Sequence, residues 1–164
     1  MPTRSIFSAR FAFTALLLAG VPSAVVAEPP TELGQRFQGA HRAVVGKVAA
    51  VQPRWDRNEW GDQLIVSRMT VEVEETLKGF SARRLEVDVE GGTLDGLTLH
   101  VSHQVELAAG DRAIFILNET TTGVHTPHRK GLGLMRLDGN NRVEGTLTTL
   151  ADVRTAARSA AALR

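Results

Sequence analysis

Apolar and polar side chains alternate along the middle of this sequence, and no other feature limits the possible folds as strongly. The apolar members of the clearest stretch occupy odd positions: Ile65, Met69, Val71, Val73 and Leu77. Every even position from 68 to 76 is polar or charged. Because successive side chains of an extended chain point to opposite faces, this pattern predicts a long strand with one buried face. We expect the strand to end at Lys78 and Gly79.

Further strands are predicted on both sides of this segment. Residues 84–90 alternate between apolar and acidic side chains, and residues 97–107 alternate between apolar and polar ones. Residues 43–51 form an apolar run of strand length, in which Gly46 indicates a bulge or bend. Residues 113–117 are apolar on both faces, which is typical of a central strand.

The two ends of the chain are predicted to be helical. Leu33, Phe37 and Ala40 have the spacing of a short amphipathic helix, and the alanine-rich residues 149–163 predict a second helix. Before this second helix, two weaker strands are expected at residues 133–138 and 142–146, joined by a hairpin turn at residues 138–141.

These elements predict a fold that is mainly β. The spacing between strands leaves no room for the crossover helices that parallel strands require. We therefore expect a small antiparallel barrel of five to seven strands, with a short N-terminal helix and a C-terminal helix. A β-sandwich is the main alternative.

Residues 1–27 have the composition of a secretory signal peptide. Arg4 and Arg10 precede an apolar run at residues 11–19, and small side chains before residue 28 suit cleavage after Ala27. The run is shorter than the roughly 20 apolar residues that a membrane-spanning helix needs. We therefore expect cleavage rather than anchoring, and export to the periplasm or the extracellular medium.

Residues 28–164 are expected to form a single soluble domain that is not inserted in a membrane. Arg4 and Arg10 are the basic residues of the predicted signal, so this remainder carries 17 basic and 18 acidic side chains, a formal net charge of −1. A nearly neutral chain has no electrostatic footprint for nucleic acid or anionic lipid. The sequence contains no cysteine, so its core alone must hold the exported fold together.

Three segments carry a resemblance to a known family. Residues 44–48, 71–79 and 109–117, taken in order and spacing, resemble the netrin-like domains, which include the tissue inhibitors of metalloproteinases and uncharacterised bacterial secreted proteins. The resemblance covers about residues 43–117 and implies an OB-type barrel of five strands. It implies no activity, because those inhibitors chelate the protease zinc through a disulfide-bonded N-terminal cysteine that this chain lacks.

The best candidate for a recognition surface is the polar stretch at residues 53–63, interpreted as a loop or a hairpin arm. It holds both tryptophans of the sequence, Trp55 and Trp60, together with Asp56 and Arg57. Tryptophans surrounded by charge either pack onto the rim of the fold or serve as exposed binding anchors. We expect Trp55 to be the more buried of the two.

Histidines and carboxylates provide candidate metal sites. His125 and His128 lie around a proline in a predicted loop, and His100 could approach them from a neighbouring strand. Tetrahedral zinc needs three or four such ligands, and no other feature supports this spacing, so no metal is predicted. His100 and His103 would point to opposite faces of a strand and cannot share one ion without a bulge between them.

An acidic row is predicted on the outer faces of two neighbouring strands. Its members are Glu72, Glu74, Glu86, Asp88 and Glu90. Like charges on paired strands repel unless Arg68, Arg83, Arg84 or a cation lies between them. We interpret the row as a solvated wall of the fold, with a calcium site or a docking face for a cationic partner as the alternative.

No catalytic residue or cofactor is predicted. No serine lies in a Gly-x-Ser-x-Gly turn, and no glycine-rich loop of the phosphate-binding type is present. The sequence therefore favours a secreted, non-enzymatic module that binds a protein or a glycan through residues 53–63. The alternatives are an accessory or inhibitory domain for a secreted metalloprotease or other hydrolase and, third, a metal-dependent enzyme built on His125, His128 and an acidic partner.

Overall fold

The computed structural model describes residues 32–57 and 61–162. The helices are α1 (Glu32–Phe37) and α2 (Leu150–Ala162), with a 3-10 helix at Lys130–Gly133. The strands are β1 (Arg42–Arg57), β2 (Gln63–Lys78), β3 (Arg84–Glu90), β4 (Gly92–Leu94), β5 (Leu97–Leu99), β6 (Arg112–Glu119), β7 (His125–Pro127) and β8 (Leu134–Leu137). The expectation of a mainly β fold with a short N-terminal and a C-terminal helix is confirmed. The predicted signal peptide lies outside the described residues.

Strands β1 and β2 form one long antiparallel hairpin, as the period-two pattern predicts for β2. Their pairing extends from Ala43 opposite Lys78 to Arg57 opposite Gln63, with register shifts in the first half of β1. One shift falls between Val45 and Gly46, which confirms the predicted bulge. A bulge increases the local twist of a strand, and twist allows a sheet to curve back on itself.

The main sheet is partly closed. Within the described ranges it has six strands in the order β1-β2-β3-β7-β6-β8, and β6 also pairs with β1. Strands β1, β2, β3, β7 and β6 therefore form a continuous circuit. The contact between β3 and β7 is parallel and rests on one residue pair, Val87 with His125, so the prediction of purely antiparallel pairing is wrong at this position.

Two groups of buried side chains lie on opposite faces of the closed part. One is surrounded by the circuit of strands and includes Val44, Val71, Val87 and Phe115. The other lies between the sheet and both helices, and includes Phe37, Val45, Ile114, Ile116 and Val153. Strand β6 contributes to both groups, which confirms that residues 113–117 form a central strand buried on both faces.

Two predicted strands differ from the structure. The long strand expected at residues 97–107 is limited to β5, because the chain turns after Leu99 and His103 adopts a positive φ of 61°. The strand expected at residues 142–146 is reduced to isolated bridges from Arg142 and Val143. The turn before it is present, with the Asp138 backbone N–H donating to the Arg142 carbonyl oxygen over 2.9 Å.

None of the helices in the described part of the chain is both long enough and apolar enough to cross a lipid bilayer.

Candidate functional site

The predicted recognition stretch belongs to the outer end of the β1–β2 hairpin. Residues 53–57 do not form a loop. They are the last residues of β1 before the turn, and each pairs with a residue of β2. The hairpin-arm interpretation is therefore correct for these residues. Only residues 58–62 connect the two strands, and Trp60 lies in 58–60, outside the described residues. A paired strand holds side chains in more constant positions than a loop does.

Trp55 combines an anchored ring nitrogen with an accessible ring. Its indole Nε1 donates a hydrogen bond to Asp95 Oδ2 over 3.1 Å, which joins β1 to the turn between β4 and β5. The residue is 39% exposed, so it is neither buried in the fold nor fully free. Hydrogen bonding at one edge restrains the orientation of the ring and leaves part of its surface open for contact.

Asp56 and Arg57 have local partners. The Asp56 carboxylate accepts hydrogen bonds from the Arg57 backbone N–H over 2.8 Å and from Arg54 Nη2 over 2.7 Å. These bonds lower the pKa of Asp56, that of Arg57 being the stronger cause. Arg57 Nη1 donates to the Gly61 carbonyl oxygen over 3.0 Å across the end of the hairpin. Both charged side chains therefore help to hold the hairpin end in its shape.

Arg54 connects this end to the acidic row. Its guanidinium bridges Asp56 and Asp88, with Nη2 to Asp88 Oδ2 at 2.8 Å, and Arg68 binds the same Asp88 carboxylate through Nε at 2.7 Å. Burial of Asp88 raises its pKa, but the bonds from Arg68 and Arg54 outweigh burial and lower the pKa to about 2. The carboxylate at the centre of this cluster is thus ionised and fully paired.

Three further members of the acidic row also lie beside arginines. Glu72 Oε1 lies 3.4 Å from Arg84 Nη2, and Glu86 Oε2 lies 3.5 Å from Arg68 Nη1. Glu74 Oε2 lies 2.5 Å from Arg112 Nε. Arg68 and Arg84 are among the side chains expected to intervene, and Arg54 and Arg112 are additions that the sequence analysis missed. Within residues 32–57 and 61–162, no three His, Asp or Glu side chains converge as metal ligands.

The candidate histidines are held apart by different partners. His100 Nδ1 lies 2.7 Å from Glu106 Oε1 on the surface. His128 lies between Asn118 Oδ1 at 2.8 Å and the Gln38 carbonyl oxygen at 2.9 Å. His125 is buried, and its Nδ1 lies 3.3 Å from the Glu86 carbonyl oxygen. The convergence that a metal-dependent enzyme would require is therefore not found among the described residues.

A cleft of about 200 Å³ lies beside the hairpin end. Its inner wall is apolar and includes Val51, Met69, Val89, Val105 and Leu107. Its rim is polar and includes Thr93, Thr98, His100, Gln104 and Glu106. A concave apolar surface with a few polar groups at its edge is the usual form of a binding pocket in a protein.

Sequence reasoning missed the residues that organise this site. Asp95 orients Trp55, and Arg54 orients Asp56. Segment 100–107 lines the cleft instead of continuing β5. The sequence signal for Asp95 was its position before Gly96 between two short alternating runs, which is typical of a hairpin turn. Nothing in the sequence indicated that this turn would contact Trp55.

When the sequence is compared with models of protein families and with curated proteins, it matches none of them.

Proposed function

We propose that this chain is an exported, non-enzymatic binding module that contacts a secreted or periplasmic protein or a glycan with the outer end of its β1–β2 hairpin. The observation that carries the proposal is the state of Trp55, which is 39% exposed yet restrained by a 3.1 Å bond to Asp95. Tryptophans that are ordered before binding lose little conformational entropy on contact, and they are enriched among the residues that dominate binding energy.

We further propose that the fold is a barrel of the OB type, as in the netrin-like domains. The circuit β1-β2-β3-β7-β6-β1, with one parallel pairing between β3 and β7, supports this assignment. The proposal concerns the architecture alone. Fold likeness does not carry an activity, so the function is argued from the side chains at the hairpin end.

The function can be tested by comparing what three forms of residues 28–164 retain. Immobilised wild type, Trp55→Ala and Leu147→Ala are exposed to the secreted and periplasmic fractions of the source cells and to a glycan array. Leu147 is a matched control, because it is 87% exposed and lies in the segment before α2. We expect ligands that wild type and Leu147→Ala retain and that Trp55→Ala loses.

Equal retention by all three forms would exclude the hairpin end as the contact surface. A hydrolase among the Trp55-dependent ligands would support the accessory or inhibitory alternative within the same proposal. Circular dichroism spectra of the three forms must coincide, since a misfolded variant also loses its ligands.

A further inference from the structure

The second half of β1 has an open edge. Strand β1 pairs with β6 only from Arg42 to Lys47, and beyond Val48 its only paired strand among the described residues is β2. At Val48 the backbone N–H still donates to the Asp111 carbonyl oxygen over 2.8 Å. From Val51 to Trp55, no strand of the described residues pairs with the side of β1 that faces away from β2, although β4 packs against β1.

The direction of the backbone groups on this edge follows from two bonds of β2. The Ile65 carbonyl oxygen accepts from the Gly91 N–H over 2.8 Å, and the Val73 N–H donates to the Arg83 carbonyl oxygen over 2.9 Å. The odd-numbered residues of β2 thus direct their backbone groups away from β1. In an antiparallel pair, two directly opposed residues either both direct their backbone N–H and C=O groups at the partner strand or both direct them away from it.

The residues opposite these odd positions are Val51, Pro53 and Trp55, so their backbone groups point outward. Val51 lies opposite Met69, Pro53 opposite Ser67 and Trp55 opposite Ile65. In the described part of the chain, no hydrogen bond reaches the carbonyl oxygens of these residues or the N–H groups of Val51 and Trp55. Pro53 has no N–H to offer, and proline within a strand is characteristic of an edge position.

The side chains on this edge adjoin the cleft. Val51 and Pro53 line it, and Trp55 lies one alternate position further along the same face. Glu106 also lines the cleft and is exposed, with its carboxylate 2.7 Å from His100 Nδ1. No lysine or arginine of residues 32–57 or 61–162 lines it. The surroundings of the edge are therefore apolar in the middle, with the polar residues Gln104 and Glu106 at the rim.

We propose that this edge accepts an extended peptide segment as an additional antiparallel strand, with alternate, apolar side chains of the peptide facing the cleft. Main-chain hydrogen bonds along an open edge supply affinity in this mode of recognition, and pockets for alternate side chains supply specificity. Antiparallel addition is the more stable form of pairing. The proposal rests on the proposed function, since it names the class of partner for the same end of the hairpin.

The test uses a defined peptide and leaves the protein unchanged. The probe is a nonapeptide of alternating valine and lysine, labelled at one end, and its binding to residues 28–164 is measured by fluorescence anisotropy. In antiparallel addition the valines that face the cleft direct their N–H groups at β1. N-methylation of the valines should therefore weaken binding at least about tenfold, and N-methylation of the lysines should leave it unchanged.

A protein variant provides the second arm. Val51→Pro removes the outward N–H of Val51 without touching a bond between β1 and β2, and Val51→Thr keeps that N–H as the matched control. We expect weaker binding by Val51→Pro alone. Melting curves of both variants identify a loss of fold, and the methylated peptides still decide the matter if Val51→Pro does not fold.

Equal binding of the two methylated peptides, the reverse preference, or no binding of the unmodified peptide at millimolar concentration would overturn the proposal. So would a dimer of the wild-type protein that Val51→Pro abolishes in sedimentation, because a second copy would then occupy the edge. These results are independent of the Trp55→Ala experiment, so strand addition can fail while the hairpin end remains the contact surface.

Discussion

At the scale of single residues, opposite charges balance one another across the outer face of the sheet. Arg54 and Arg68 enclose Asp88, whose side chain is only 17% exposed. Exposed ion pairs contribute little to stability, but a partly buried carboxylate with several charge-assisted bonds contributes more. We therefore expect Asp88 to be the acidic side chain of this face on which stability depends most.

Asp88→Asn should lower the free energy of unfolding at pH 7 by about 2 kcal/mol. The pKa of Asp88 is about 2 in the folded chain, below its ordinary value of 3.8, so its contribution is complete above about pH 4 and is lost as pH falls towards 2. Urea unfolding at pH 7, 4 and 2.5 measures this, and the variant should lose less stability on acidification than wild type.

Glu90→Gln is the matched control for Asp88→Asn, because Glu90 lies on the same strand and is exposed. Its unfolding free energy at pH 7 should stay within about 0.5 kcal/mol of the wild-type value. An Asp88→Asn protein as stable as Glu90→Gln would show that the arginine cluster is not important for stability.

At the scale of elements, the β1–β2 hairpin depends on one close approach of backbone. A Cβ atom on Gly46 would lie 2.6 Å from Val71 Cγ1 and 2.7 Å from the Glu72 carbonyl oxygen. The register of β1 shifts beside this glycine, where β1 lies between β2 and β6. Any side chain at position 46 would therefore force two paired strands apart.

Gly46→Ala should destabilise the protein by about 1–3 kcal/mol, the usual cost of overpacking a closely packed interior. Gly139→Ala is the control, because a Cβ on Gly139 would meet nothing within 4 Å. Thermal unfolding of both variants provides the measurement. Equal melting temperatures for the two variants would mean that β1 and β2 separate here at little cost.

At the scale of the whole molecule, the circuit of strands closes through the short strand β7. His125 is its only residue paired with β3, and it is 4% exposed. Its Nδ1 lies near the Glu86 carbonyl oxygen, and its Nε2 is buried with no hydrogen-bond partner among the described residues. Burial, and then the charge of Arg42, lower the pKa of His125, and they outweigh the hydrogen bond to Glu86 and the charge of Glu119, which raise it.

The closed sheet should therefore lose stability in mild acid. A histidine whose pKa is lower in the folded state than its ordinary value of 6.5 stabilises the fold above that value, and the contribution falls as pH drops through the folded pKa. The free energy of chemical unfolding should decrease from pH 7.5 to pH 5.5 in wild type, and it should decrease less in His125→Leu. The decrease should not vanish, because burial also lowers the pKa of His128.

His100→Gln is the control for His125→Leu, because His100 is 72% exposed and lies far from β7 in the sequence. Its free energy of unfolding at pH 7.5 should stay within about 0.5 kcal/mol of the wild-type value. If His125→Leu loses as much stability between pH 7.5 and 5.5 as wild type does, His125 does not titrate with the unfolding of this protein.

The sequence alone determined the elements whose pattern is local. The alternation in residues 63–78 and 84–90, the apolar run at 113–117 and the alanine-rich end all became the strands and helix expected of them. Side-chain period depends on backbone conformation, so a clear period identifies the element without knowledge of its neighbours. Trp55, Asp56 and Arg57 could be predicted as binding residues for a similar reason, because their residue types alone indicate their chemistry.

Only the tertiary structure decided which of these elements meet. Residues 97–107 alternate as well as a strand does, yet only residues 97–99 pair, with β4, and the chain then turns back after Leu99 and lines the cleft. Asp95 reaches Trp55 across 40 residues of sequence, and Arg54 reaches Asp88 across 34. Such contacts depend on which strands lie side by side, and local periodicity carries no information about that arrangement.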